Sequence, residues 1–246
     1  MNKFVIIVPL YNVEKWIRTN INSVLSQTFE NYECYYIDDM STDSTSSVIE
    51  SFNSDKINLI RNNEKKYALR NIVEAIQLAK PNDEDIIVTL DGDDWLSRKD
   101  CLQILNSYYQ DDTLLTYGRY MNYPQGTLPV NVTKYSNHVV ENNSYREAPW
   151  RASHLRSFKY KLWKQIDLND LKDGDGNFYE MAWDLAFMFP MLEMAGDRWK
   201  YVKEVLYCYN LTNPLNDHKV DHTKQLRLDA EIRKKAKYAK IIEGKQ

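Results

Sequence analysis

Short apolar runs alternate with stripes of helical spacing through the first ninety residues. Residues 4–8 form a β-branched run that suits a strand covered on both faces. Val13, Trp16, Ile17, Ile21, Val24 and Leu25 then recur at the spacing of one helix face. Residues 32–37 predict a second strand, and residues 45–52 a helix that Thr42-Asp43-Ser44 can cap. A third strand follows at 57–60. A helix over 66–79 carries Leu69, Ile72, Val73 and Ile76 on one stripe, and a fourth strand covers 85–90. Strand and helix alternating in this way predict an α/β fold with a mainly parallel sheet and right-handed crossovers.

Beyond residue 112 the rhythm breaks. Residues 114–121 read as a strand. Residues 122–150 are polar, contain Pro124, Gly126, Pro129 and Pro149, and predict a long functional loop. Residues 181–195 form an apolar helix interrupted by Pro190, residues 202–209 a late strand, and residues 222–242 a charged helix marked by Leu228, Ile232, Ala236 and Ala239. No repeat or low-complexity tract divides the 246 residues, so they predict one domain.

Composition narrows the function classes. A 43% apolar and 27% charged chain fits a globular protein, and a net charge of −3 argues against a nucleic-acid-binding surface. Cys34, Cys101 and Cys208 form no CxxC pair, so reduced thiols are expected, with neither a disulfide framework nor a cysteine zinc site. No run is long enough to span a bilayer and no leader precedes the first strand, which predicts a cytoplasmic location with peripheral membrane contact left open.

Ligands of a parallel sheet bind beyond the carboxyl ends of its strands. Strand two ends at Asp38-Asp39 and strand four runs into Asp91-Gly92-Asp93-Asp94, so two acidic clusters share one sheet edge. Their repulsion is costly unless a cation or donors compensate. Carboxylates suit magnesium or manganese, and the glycine lets the backbone approach a ligand; the plain alternative is a capped turn. Asp39 can accept the imide hydrogen of a uracil or cap a helix. Arg70 lies off the core stripe, as a solvated arginine or a diphosphate contact.

At these residues the chain resembles family 2 glycosyltransferases, which have the GT-A fold. Val8-Pro9-Leu10-Tyr11-Asn12 is similar to that family's first-strand signature, and Leu25-Ser26-Gln27-Thr28-Phe29 to the end of its first helix. Ile37-Asp38-Asp39-Met40-Ser41-Thr42-Asp43 resembles its second-strand signature, with methionine where glycine is commoner. Ala68-Leu69-Arg70-Asn71 and Leu90-Asp91-Gly92-Asp93-Asp94 resemble its Ala-Arg-Asn and metal-binding segments.

The resemblance implies a nucleotide-sugar-binding half over 1–112, an acceptor half over 113–215 and a helical tail over 216–246. It implies that Pro9, Tyr11, Asn12, Asp39, Arg70 and Asp91 hold the nucleotide sugar and that Asp93 binds a divalent metal, Mn2+ or Mg2+. A late histidine, His218, is the expected further metal ligand, and His154 can face the acceptor. Glu180-Met181-Ala182-Trp183-Asp184 looks like the segment that supplies the catalytic base, with Trp183 inside the usual acidic pair. Asp184 is the expected base, or else the cap of the apolar helix.

The implied reaction is inverting transfer from a uridine diphosphate sugar to a hydroxyl of a glycan, lipid-linked or protein acceptor. A nucleotidyltransferase acting on a sugar phosphate needs the same metal and carboxylates, and a degenerate nucleotide-sugar-binding protein keeps the pocket without turnover. Asp173-Gly174-Asp175-Gly176-Asn177 mimics a calcium loop but has Phe178 at its glycine position, and predicts a turn.

Overall fold

A computed structural model of the chain describes residues 2–241. The side chains of Asp217 and His218, and residues 242–246 of the predicted tail, lie outside the described residues. The first half follows its pattern closely. Strands β1 (Phe4–Leu10), β2 (Tyr32–Asp38), β3 (Ile57–Arg61) and β4 (Ile86–Thr89) alternate with helices α1 (Ile17–Leu25), α2 (Thr45–Glu50) and α3 (Tyr67–Ala79). β3, β2, β1 and β4 lie side by side and parallel.

β1 explains why this sheet forms. All seven of its residues are buried. Val5 and Ile7 pack into the core under α3, while Phe4, Ile6 and Val8 pack into a second core with Ile17, Ile21 and Val24 of α1. An apolar side chain moved fully from water is worth about 1.5–3 kcal/mol, so a strand buried on both faces anchors the layers.

The second half adds β5 (Trp95–Leu96), α4 (Cys101–Tyr108), β6 (Leu115–Tyr123), α5 (Asn137–Glu141), β7 (Arg156–Lys159), α6 (Tyr160–Trp163), a 3₁₀ turn at Leu168–Leu171, α7 (Trp183–Ala195), β8 (Trp199–Asn210), α8 (Asp217–Val220) and α9 (His222–Lys234). The eight strands run in the order β3-β2-β1-β4-β7-β6-β8-β5. β7 is antiparallel to both β4 and β6, and β6 is parallel to β8. The sheet is therefore mixed, with a parallel half carrying the early chain.

Several elements escape the period rules. β7 reads Arg-Ser-Phe-Lys, and all four residues are buried. α7 continues through Pro190 and buries every residue but Asp184, so packing on all sides outweighs the hydrogen bond that proline cannot donate. The predicted helix over 222–242 stops at Lys234, because Lys235 turns to extended backbone. The tail then folds back: the Tyr238 hydroxyl bonds Asp170 at 2.6 Å and the Ile241 N–H bonds the Met194 carbonyl at 2.9 Å. Asp173 forms the predicted turn, its Oδ1 accepting the N–H groups of Asp175 and Asn177.

Candidate active site

A cleft of about 700 Å³ opens at the carboxyl ends of β1, β2, β4, β6 and β8. Because β7 runs the other way, the residues that precede it reach the same edge. Pro9, Tyr11, Asp39, Asp91, Asp93 and Asp184 line the cleft, as do Tyr120, His154 and Arg156. With His154, seven of the residues singled out from the sequence thus come together.

The acidic loop is held from below. Asn20 of α1 is fully buried and donates to the carbonyls of Asp94 at 2.8 Å and Asp91 at 3.1 Å. Gly92 sits against β1, where an added Cβ would lie 2.4 Å from the Leu10 Cβ. Its glycine is required by packing on the strand end. Asp94 is buried and structural: it accepts the Tyr207 hydroxyl at 2.5 Å and the Asn210 N–H at 2.6 Å. Burial, with Asp93 and Asp91 nearby, pushes its carboxyl well above the ordinary range.

Asp91 and Asp93 are half-buried at the cleft wall. Burial raises the proton affinity of both; Arg156 opposes this at Asp91, and Asn213 opposes it at Asp93 by donating to Oδ2 at 2.7 Å. Among the described residues, no group of three His, Cys, Asp or Glu side chains converges to hold a metal.

Asp39 ties β2 to the start of α3. Its Oδ1 accepts Asn62 Nδ2 and the Lys66 N–H, both at 2.8 Å, and its Oδ2 accepts the Tyr67 N–H at 2.9 Å. Burial pushes its carboxyl up, but these donors and the Lys65 charge prevail and hold it below the ordinary value. Asn12 and Arg70 stand apart from the cleft lining. Asn12 Oδ1 accepts the Thr42 N–H at 2.8 Å and its own N–H reaches Ser41 Oγ at 2.9 Å, so it joins the loops after β1 and β2. Arg70 is paired with Glu74 and Glu64, each at 2.8 Å.

Asp184 lies in the first turn of α7, whose cap position is Ala182, in left-handed backbone and without a side-chain cap bond. The aspartate therefore does not cap the helix. Its Oδ2 accepts Arg156 Nη1 at 3.0 Å. Burial raises its proton affinity and outweighs Arg156 and the backbone N–H groups of the first turn. Arg156 itself is buried, sits 5.3 Å from the Trp183 ring, and also attracts Asp91. Glu180, the other acid of the segment, is paired with Lys224 of α9.

His154 faces this group as a neutral ring. It stacks on Tyr207 with centroids 4.4 Å apart and on Tyr209 at 5.4 Å, and burial with Arg156 nearby drives its pKa well below the ordinary value. Sequence reasoning missed Arg156, Lys65, Asn213 and the Tyr120, Tyr207 and Tyr209 cluster. Tyrosine abundance was the only available signal for the last.

An α/β domain with an acidic, aromatic cleft at the carboxyl edge of a mostly parallel sheet is the GT-A architecture of nucleotide-sugar enzymes. The family model described as "Glycosyl transferase family 2" matches residues 5–169, and the chain belongs to that family. It is 34% identical over 116 residues to the UDP-Glc:alpha-D-GlcNAc-diphosphoundecaprenol beta-1,3-glucosyltransferase WfgD of Escherichia coli, covering 47% of this chain and 44% of that one. The chain thus spans less than half of that relative's length. S. aureus TarS 1–349, solved in complex with UDP-GlcNAc, superimposes with a TM-score of 0.70 at 18% identity, covering 94% of this chain and 66% of that one. The mannosyltransferase PcManGT from Pyrobaculum calidifontis, in complex with GDP-Man and Mn2+, gives 0.58 at 18% identity, covering 84% and 56%. No described helix is long and apolar enough to cross a membrane.

Proposed function

We propose that the chain transfers a sugar from a uridine diphosphate sugar to an acceptor hydroxyl with inversion at the anomeric carbon. The observation that carries this reading is that Asp184 and the Asp91–Asp93 loop line one cleft, within electrostatic reach of each other. WfgD is a UDP-Glc:alpha-D-GlcNAc-diphosphoundecaprenol glucosyltransferase and TarS was solved with UDP-GlcNAc, which supports a uridine donor and a glycan or lipid-linked acceptor for this chain too.

Inversion needs one base on the acceptor side, because the hydroxyl attacks opposite the leaving diphosphate. Asp184 is that base. Burial raises its proton affinity, which suits a group that must take a hydroxyl proton as the transition state forms. Arg156, bonded to one Asp184 oxygen, fixes the carboxylate orientation and favours its ionised form, in opposition to the burial that raises its proton affinity. Tyr120, Tyr209 and the His154 ring form an aromatic wall beside this pair, whose faces can pack against the transferred sugar.

The carboxylates fit a divalent cation as a shared site. Two half-buried acids with raised proton affinity want a compensating charge, and Mg2+ or Mn2+ accepts one or two carboxylates and completes its shell with water and substrate phosphate. Asp93, with Asp91 beside it, would hold the ion, which would neutralise charge building on the diphosphate. UDP should therefore bind at least about tenfold more weakly once metal is chelated, since the acidic wall repels a bare diphosphate. Calorimetry with manganese and with a chelator measures this. Equal affinities would remove the metal from the reading.

Asp39 is proposed to meet the uracil imide. Asp39→Ala should raise the donor KM more than it lowers kcat, because a contact far from the reacting carbon binds ground and transition states alike. The variant should also lose about 1–3 kcal/mol of stability by leaving the Asn62, Lys66 and Tyr67 donors unpaired. Steady-state kinetics and urea unfolding on one preparation test both. An unchanged KM with lost turnover would move Asp39 out of the base site.

A further inference from the structure

Arg119 and Arg151 are half-buried, and neither meets a carboxylate among the described residues, whereas Arg61, Arg70, Arg98, Arg146, Arg156 and Arg233 all do. Both border the stretch 132–133. Arg151 Nη1 donates to Thr133 Oγ1. Arg119 follows Tyr117 by two residues and so shares its face of β6. The Tyr117 hydroxyl donates to the Thr133 carbonyl at 3.1 Å. The Arg119 charge also opposes the burial that raises the Tyr201 hydroxyl, and that hydroxyl donates to the Val132 carbonyl at 3.0 Å. We propose that Arg119 and Arg151 bind a phosphate group carried by the acceptor. This rests on the transfer reading above and adds to it the chemical class of the acceptor.

The place is the rim of the cleft. β6 pairs with β7 through Leu115–Phe158 and Thr116–Ser157. Continued along the strand, that register sets Arg119 level with His154 and Tyr120 level with Ser153. The Tyr120 and His154 rings do meet, with centroids 5.4 Å apart. Tyr120, Ser153 and His154 line the cleft, and Arg119 and Arg151 stand beside them in the chain, outside that lining. A phosphate held there leaves the acceptor hydroxyl free to enter the cleft toward Asp184.

Two like charges on one partly desolvated patch repel, and a shared anion removes the cost. A guanidinium presents a fixed fork of N–H donors that matches phosphate oxygens. One fork satisfies a planar carboxylate; two forks from different elements suit a tetrahedral group with more oxygens. Thr133 Oγ1 accepts Arg151 and keeps its own proton to donate to the anion. Lys134, exposed and next in the chain, strengthens the positive field. A lipid-linked diphosphate and a phosphodiester-linked polyol chain both carry such a group, and the patch reads what the two share.

The test is calorimetric binding of two probes, farnesyl diphosphate and a glycerol phosphate trimer, to protein whose nucleotide site is filled by UDP and magnesium. At least one should bind the wild type. Arg119→Gln and Arg151→Gln should each weaken that probe about tenfold, and the double variant should weaken it further. Arg119→Lys should keep more of the affinity than Arg119→Gln, and UDP affinity should stay within about twofold throughout. Binding of farnesyl diphosphate alone identifies a lipid diphosphate, of the trimer alone a polyol phosphate chain, and of both the phosphate group itself. Glucuronate, the control for charge, should bind at least about tenfold more weakly. Ligand-free melting points separate a folding defect from a lost contact. The Arg119 side chain makes no hydrogen bond among the described residues, so Arg119→Gln decides alone if Arg151→Gln does not fold. Failure of both probes to bind, glucuronate binding as tight as theirs, or undiminished binding in the variants overturns the phosphate role and leaves the donor reading standing. If UDP does not bind, the uridine reading falls instead, and the probes, measured without it, still decide the arginines.

Discussion

Asp184→Asn is expected to lower turnover by about 10²–10⁴ while donor binding stays near that of the parent protein. The substitution keeps the size of the side chain and an oxygen that can still accept Arg156 Nη1, now 3.0 Å away. It removes the negative charge and the capacity to take a proton. Asp184 does not cap α7, so the helix start should survive the change. Donor-induced thermal stabilisation, measured on the same sample as the rate, separates lost chemistry from a lost fold. A folded, donor-binding Asp184→Asn protein with near-normal transfer would take Asp184 out of the mechanism. Glu180 would then be the next acid to test, although its pairing with Lys224 already engages it.

The second large effect concerns stability. Glu193→Ala should cost about 3–5 kcal/mol in urea unfolding, because it strands a buried guanidinium. Arg146 and Glu193 have side-chain exposures of 3% and 0%, and meet in a two-pronged pair at 2.5 and 2.9 Å. Arg146 Nη1 also reaches the Ile232 carbonyl at 2.8 Å, and Glu193 accepts the Tyr238 N–H at 2.9 Å. The pair therefore clamps α9 and the returning tail onto α7, the helix that carries Asp184. Replacing both partners with apolar residues, Arg146→Met with Glu193→Leu, should recover much of the loss, since no charge is then left without a partner. A loss below about 1 kcal/mol in Glu193→Ala would mean that water reaches Arg146.

The parallel half and the acidic loop were legible because their signals are local. A strand buried on both faces must be an apolar run, as β1 is, and the acids that end β2 and β4 stand next to such runs in the sequence. β7 was invisible for the converse reason. Arg156 and Lys159 are buried through partners distant in sequence, Asp184 and Glu84, and no local period encodes such pairing. The base side of the cleft was legible in its motifs but not in its pairing. The motif containing Arg70 is intact, but that arginine pairs with Glu64 and Glu74, while Lys65 lies beside Asp39 at the cleft. Asn12 likewise serves the loop joint rather than the cleft. α9 was read too long because Ala236 and Ala239 continue the helical stripe past Lys235, where the backbone turns out.

The reversed direction of β7 lets the cleft vary in two independent ways. Its pairing with β4 sets Arg156 opposite Thr89 and Lys159 opposite Ile86, which locks the strand in place. The chain enters that strand at the cleft and leaves it at the far edge. Substitutions at Ser153 and His154, in the approach to β7, can therefore reshape the cleft wall without shifting the register that seats the acidic loop. Loops after β1, β2 and β4 lack that freedom, since Asn12 joins the first two, Asn62 ties Asp39 to the segment after β3, and Asn20 and Tyr207 bind Asp91 to the core. Lineages that exchange acceptors while keeping a donor have in this approach segment a place to change.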